Sequence, residues 1–213
     1  MDASGGDSTI IASNMSAAVY RGGAGNDTLR AQNADVVWLY GGTADGIDTW
    51  INGAGHSVAR AESAGAVISI KRYSNGVDGF EGRGDTIIRD GITGQVLDFR
   101  WTTLSGIAKV DAGGGNDTIW ASMQSDGCYR GGTGKDTCVV NDTPTPTLGV
   151  SILDFSQSEK DLVDLHSLST SFKILLKWQQ EPSGDTTIQA NDAVTIRLVG
   201  FPLKKLKSSD FIF

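Results

Sequence analysis

Gly22-Gly23-Ala24-Gly25-Asn26-Asp27-Thr28-Leu29 returns along the chain as Gly131-Gly132-Thr133-Gly134-Lys135-Asp136-Thr137-Cys138. Near-copies are Ala112-Gly113-Gly114-Gly115-Asn116-Asp117-Thr118-Ile119 and the looser Gly41-Gly42-Thr43-Ala44-Asp45-Gly46-Ile47-Asp48-Thr49-Trp50. Glycines, an aspartate, a threonine and an apolar residue describe a tight turn running into a short strand. The glycines supply positive φ and let backbone carbonyls converge. The aspartate adds one hard oxygen donor per turn, the chemistry that calcium takes.

The spacing sets the architecture. Gly22 to Gly41 is 19 residues, and so is Ala112 to Gly131. The units align without a gap: Asp27 falls on Asp117, Leu29 on Ile119 and Leu39 on Tyr129. A third unit precedes Gly22, with Ile10 over Ile119 and Tyr20 over Tyr129. Each unit reads as two short strands joined by two turns. The two-residue alternation points Ile10, Leu29, Ile119 and Cys138 inward. One unit cannot bury such a seam, but stacked coils can. The expected fold is all-β: a right-handed parallel β-roll or β-solenoid with a C-terminal β-rich cap.

Two domains are expected, a β-roll over 1–140 and a cap over 141–213. Within 51–110 the repeat loosens into irregular coils, although a small separate insertion at 51–79 stays open. Glu81-Gly82-Arg83-Gly84-Asp85-Thr86-Ile87 is a shortened copy, with strand-like runs at 66–70, 96–99 and 107–110 around it. Asn141-Asp142-Thr143-Pro144-Thr145-Pro146 marks the boundary. Beyond it glycine is sparse, strands are expected at 151–155, 172–178, 186–190 and 194–199, and Asn191-Asp192 reads as a hairpin turn.

Composition narrows the function classes. Glycine is 28 of 213 residues and proline only 4, which suits many tight turns better than a disordered linker. The net charge of −7 argues against nucleic acid and anionic membranes as partners. There is no membrane-spanning run, and Met1-Asp2-Ala3-Ser4-Gly5-Gly6 is not a signal peptide. Cys128 and Cys138 suit neither a disulfide scaffold nor a zinc site.

The nonapeptide Gly-Gly-x-Gly-x-Asp-x-(large apolar)-x resembles the RTX, or haemolysin-type, calcium-binding repeat. Residues 22–30 and 131–139 match it in full, and 112–120 misses only the first glycine. Ile152-Leu153-Asp154-Phe155-Ser156, Lys160-Asp161-Leu162-Val163-Asp164-Leu165, Asp185-Thr186-Thr187-Ile188 and Asp210-Phe211-Ile212-Phe213 are similar to the C-terminal segments of serralysin-type proteins. In that family this end carries an uncleaved type I secretion signal. The resemblance implies Ca2+ held between turns one coil apart by turn carbonyls and aspartates. Gly22, Ala24, Gly25 and Asp27 would face Gly41, Thr43 and Asp48, with Asp45 replacing or joining Asp48 in that longer loop. Ala112, Gly114, Gly115 and Asp117 would face Gly131, Thr133, Gly134 and Asp136. Asp85, in a loop one residue short, is the weakest member. The turns Gln32–Asp35 and Met123–Asp126 have lost their glycines and are expected to be metal-free.

The expectation is therefore a secreted, calcium-binding module that folds on Ca2+ after leaving through a type I ABC exporter. It is not expected to be an enzyme, unless as the non-catalytic end of a larger one. Only His56 and His166 are present, without His-Glu-x-x-His, and Gly55-His56-Ser57-Val58-Ala59 lacks the closing glycine of a nucleophile elbow. Two alternatives stay open: a polysaccharide-binding or adhesive module using Trp38, Trp50, Trp101 or Trp120, and a small enzyme with its site in 51–110. Arg83-Gly84-Asp85 reads as coincidence within a degenerate repeat. Thr9, Thr28, Thr49, Thr86, Thr118 and Thr137 follow the loop aspartate or its equivalent, so stacking would line them up as outward ladders, as in ice-binding solenoids. β-Branched threonine also simply suits a solvent-facing strand.

Overall fold

In a computed structural model the chain is almost wholly β. The structure describes residues 2, 5–42, 45–70, 73, 76–90, 93–142, 148–168, 170–171 and 177–213. Its first strands are β1 (Thr9–Ile11), β2 (Ala18–Tyr20), β3 (Thr28–Arg30), β4 (Val36–Tyr40), β5 (Thr49–Ile51), β6 (Ser57–Ala61), β7 (Val67–Ile70) and β8 (Gly79–Asp90). Next come β9 (Val96–Asp98), β10 (Thr103–Asp111), β11 (Thr118–Trp120), β12 (Gly127–Arg130) and β13 (Thr137–Val139). The last are β14 (Leu148–Ile152), β15 (Leu162–Asp164), β16 (Lys177–Gln180), β17 (Thr186–Gln189), β18 (Val194–Leu198) and β19 (Phe211–Ile212).

Two compact units result: Met1–Gly91 with Trp101–Val110, and Ile92–Arg100 with Asp111–Phe213. In the first unit, strands alternate between a sheet ordered β1-β3-β5 and one ordered β2-β4-β6-β8-β10, with β7 beside β8. In the second, β9-β11-β13-β15-β19 form one wall, and β12-β14-β18-β17-β16 pair in the other. Nearly all of these pairings are parallel, as in a β-solenoid; β16-β17-β18 run antiparallel and form the β-rich end. The hairpin at Asn191-Asp192 joins β17 to β18, its Asn191 Oδ1 accepting the Ala193 and Val194 N–H groups. Residues 172–176 of an expected strand lie outside the described residues.

The units do not divide at 140. β13 pairs with β15 and β12 with β14, so the chain beyond the proline cluster continues the same coils. The proline cluster interrupts the sequence pattern, and the strands on either side of it still pair.

Alternation places the seam as expected: Ile10, Leu29, Ile119 and Cys138 are all buried. Thr9, Thr28 and Thr49 stack in register facing outward, as do Thr118 and Thr137, but Thr86 is buried and belongs to no ladder. The glycine-free turns close on a tyrosine in two coils. Tyr20 Oη accepts the Ser13 N–H at 2.9 Å, and Tyr129 Oη accepts the Ser122 N–H at 2.8 Å.

Trp38 and Trp50 are core residues, packed in the first unit against Tyr20 (5.2 Å between centroids) and Phe80 (5.7 Å). They cannot serve a sugar-stacking face. Trp120 is half-buried with the Arg100 guanidinium 4.3 Å over its ring. Only Trp101, of the four, is well exposed. Cys128 and Cys138 are free thiols, and burial pushes Cys138 up to about 12.

Candidate metal centre

Backbone stacking builds the loops. Gly25, Gly46, Gly115 and Gly134 all have positive φ. A methyl group on Gly46 would overlap the Gly25 carbonyl oxygen, one on Gly134 the Gly115 carbonyl oxygen, and one on Gly25 would come within 2.7 Å of the Gly6 carbonyl oxygen. Glycine is therefore needed twice over, for conformation and for the closeness of the next coil. Gly114 and Thr133 form a parallel bridge, and Gly115 N–H donates to the Thr133 carbonyl at 2.8 Å. The two loops expected to face one another in the second unit are thus brought together.

A ladder of aspartates runs through these loops. In the first unit Ser8 N–H donates to Asp27 Oδ1 (2.8 Å) and Asp27 N–H to Asp48 Oδ1 (2.9 Å). In the second, Gln95 N–H donates to Asp117 Oδ1 (2.5 Å), Asp117 N–H to Asp136 Oδ1 (2.8 Å) and Asp136 N–H to Asp161 Oδ1 (2.9 Å). All five carboxyl groups are buried. A parallel row comes from the residue just before: Asn26 Oδ1 accepts Ile47 N–H and Asn116 Oδ1 accepts Lys135 N–H. The recurrence of asparagine before the aspartate was its signal in the sequence.

Asp27 and Asp136 each bury an Oδ2 that meets no hydrogen-bond donor. Both oxygens lie against the first glycine of their own loop. A Cβ on Gly22 would sit on Asp27 Oδ2 and 3.0 Å from its Cγ, and one on Gly131 on Asp136 Oδ2 and 2.7 Å from its Cγ. An ionised, buried oxygen with no donor costs several kcal/mol unless a cation meets it. The donors fit a hard cation: buried carboxylate oxygens in loops whose backbone carbonyls can be added to them. Among the described residues, no three of His, Cys, Asp and Glu form a cage by themselves, so backbone carbonyls must complete any ligand set.

The loop beyond β14 joins this site. Asp154 accepts the Gly131 and Gly132 N–H groups (3.1 and 2.8 Å), and Glu159 accepts the Gly134 N–H at 3.2 Å. Asp161 extends the ladder and also accepts Ser156 N–H at 2.8 Å. A cavity of about 20 Å3 lies among Gly131, Asp136, Asp154 and Asp161 over an apolar floor, room for one water-sized body. Asp154, Glu159 and Asp161 escaped repeat-based reading because their loop carries no glycine.

Gly41, Asp45 and Asp85 fall differently from expectation. Thr43 lies outside the described residues. Gly41 does not keep the register expected for it: Tyr20 pairs with Trp38 rather than with Leu39, while Thr28 pairs with Thr49. The extra residues are taken up between Tyr40 and Gly46, because the strands on either side are held in register by burial. Asp45 Oδ2 accepts the Gly41 N–H at 2.9 Å, and Asp48 alone occupies the ladder. Asp85 lies exposed within β8, accepting the Gly65 N–H at 2.8 Å, while Asp90 is the buried carboxylate of that strand. Gln32–Asp35 and Met123–Asp126 use side chains instead: Asp35 accepts His56 N–H at 2.9 Å and Asp126 accepts Gly149 N–H at 2.7 Å.

Burial first, with neighbouring carboxylates adding to it against the hydrogen bonds that oppose it, raises the pKa of four of the ladder's carboxyl groups. Asp27 and Asp136 are raised, Asp161 is pushed up to about 6 and Asp48 to about 7. Unfolded aspartate titrates near 3.9. The metal-free fold therefore holds these protons more tightly than the unfolded chain. Their stabilising contribution is complete below pH ~4 and is lost as pH rises through 6 and 7. In chelator the melting temperature is expected to fall by about 5 °C or more between pH 5 and pH 8. A rise across that window would refute this account of the ladder.

No model of a known protein family matches the chain, and no curated protein matches it.

Proposed function

We propose that this chain is a calcium-binding RTX-type module of an exported protein, ordered by Ca2+ outside the cell. The observation that supports it most is the pair of buried, donor-less Oδ2 atoms on Asp27 and Asp136, the aspartates of the two complete repeats. Gly22, Ala24 and Gly25 would add carbonyls around Asp27. Gly131, Thr133 and Gly134, with Ala112, Gly114, Gly115 and Asp117, would do so around Asp136. Calcium bound there would neutralise the ladder and draw successive loops together.

Extracellular calcium modules bind at roughly 0.1–1 mM. At ten times the dissociation constant each site adds about 1.4 kcal/mol, so a few sites rival the whole stability of a marginal domain. Inside a cell, where free calcium is low, the coils would stay loose enough to pass an exporter. The type I route rests on the likeness of the C-terminal segments to serralysin-type proteins.

The test is a calcium titration of the chelated protein, followed by far-UV circular dichroism and thermal melting. Strand signal and melting temperature are expected to rise together between 0.1 and about 10 mM Ca2+. A spectrum and melting curve unchanged by millimolar calcium would exclude the reading.

A further inference from the structure

We propose that the Tyr40 hydroxyl does at the Asp48 coil what a cation does at the Asp27 and Asp136 coils, so that this coil orders without metal. The inference rests on the calcium reading and divides its consequences between coils.

The strand register carries it. Gly22 and Gly131 open their loops with no side chain, and the space so left is where Asp27 Oδ2 and Asp136 Oδ2 lie without a donor. Trp38 of the next coil pairs with Tyr20, and two residues after Trp38 comes Tyr40, where the chain two residues after Tyr20 has Gly22. Tyr40 is 2% exposed, and its hydroxyl donates to Asp48 Oδ2 at 2.7 Å. Asp48 Oδ1 already accepts Asp27 N–H at 2.9 Å. Both oxygens of this carboxylate are therefore satisfied by neutral donors, which no aspartate next to a first glycine achieves with its Oδ2.

The rest of the loop is committed as well. Gly41 N–H donates to Asp45 Oδ2 (2.9 Å), and the Gly41 carbonyl accepts the Ser63 hydroxyl at 2.7 Å. The Tyr40 ring is held against Trp50 with centroids 5.8 Å apart. Burial and the adjoining aspartates raise the phenol's pKa well above its usual value, so it remains a donor. An internal hydroxyl is always present, whereas a cation depends on its concentration. The Asp48 coil thus offers a preformed surface on which the Gly22 loop stacks before calcium arrives.

Amide hydrogen exchange resolves the two kinds of coil. The reporters are the Asp48 N–H, bonded to the Ser69 carbonyl at 3.2 Å, and the Asp136 N–H, bonded to Asp161 Oδ1 at 2.9 Å. In the wild type, moving from chelator to 10 mM calcium chloride should slow Asp136 exchange about tenfold or more and leave Asp48 within about twofold. Tyr40→Phe keeps the ring and removes the donor; it should speed Asp48 exchange about tenfold in chelator. Tyr40→Gly should make Asp48 exchange calcium-dependent. If Tyr40→Gly does not fold, the wild type and Tyr40→Phe still decide. A calcium response at both amides of the wild type overturns the Tyr40 assignment alone, as does a Tyr40→Phe protein indistinguishable from wild type in chelator. No response at Asp136 overturns the calcium reading and this inference with it.

Discussion

Gly132→Ala is expected to lower the melting temperature by about 10 °C, against about 3 °C for Gly184→Ala. Both glycines have positive φ, +98° and +93°, so both substitutions carry the left-handed penalty of about 1 kcal/mol. They differ in what a methyl group meets. At Gly184 nothing lies within 4 Å. At Gly132 the new Cβ would overlap the Gly113 carbonyl oxygen and lie 2.6 Å from its carbon, backbone atoms of the adjoining coil. Forcing such contacts apart costs about 1–3 kcal/mol more. It would also stretch the Thr133 N–H bond to that carbonyl, 3.1 Å long. Differential scanning calorimetry of both variants measures the contrast. Equal losses would mean that inter-coil closeness is not what the glycine provides.

Asp136→Asn should reverse sign with calcium. The amide oxygen can still accept the Asp117 N–H that Asp136 Oδ1 takes at 2.8 Å. Its NH2 group replaces the Oδ2 that has no donor. In chelator at pH 8 a buried charge disappears, burial being the main cause of its raised pKa, so the variant should melt above the wild type. In calcium the wild type gains about 1.4 kcal/mol at ten times the dissociation constant and about 2.7 at a hundred times. The variant forgoes that gain and should melt below. The crossing separates a cation site from an ordinary buried hydrogen bond, whose loss would destabilise by the same amount in both buffers. Parallel melting curves would defeat the cation account of Asp136.

The regular coils were open to reading because their restrictions are local. Thr9, Thr28 and Thr49, and Thr118 with Thr137, pair as the 19-residue copies imply, apart from the longer step to Thr49. Ile10, Leu29, Ile119 and Cys138 are inside because the strand period leaves no other face for them. Residues 79–90 were less legible: a shortened loop was expected at Glu81–Asp85, and a twelve-residue strand, β8, passes through it. No local rule distinguishes a glycine that turns the chain from Gly84, which bends a strand. Asp161 was recognised in the sequence only as part of a familiar tail. Its place in the ladder depends on pairing between β13 and β15 across the proline cluster, a long-range contact without a local signature.

Composition and repeat together dictate a β-coil with a threonine outside, an aliphatic residue inside and an aspartate at each glycine turn, since φ preference and strand alternation act over a few residues. Which of those aspartates retains an unanswered oxygen is settled only when coils stack. The repeats set Asp48 beside Asp27 and Asp136, marked off only by a longer loop in which Asp45 could replace or join it. Folding brings the Tyr40 hydroxyl onto Asp48, whereas Asp27 and Asp136 face bare glycine. Hydrogen-bond satisfaction is a property of neighbours in space, and a repeat in sequence records only neighbours along the chain.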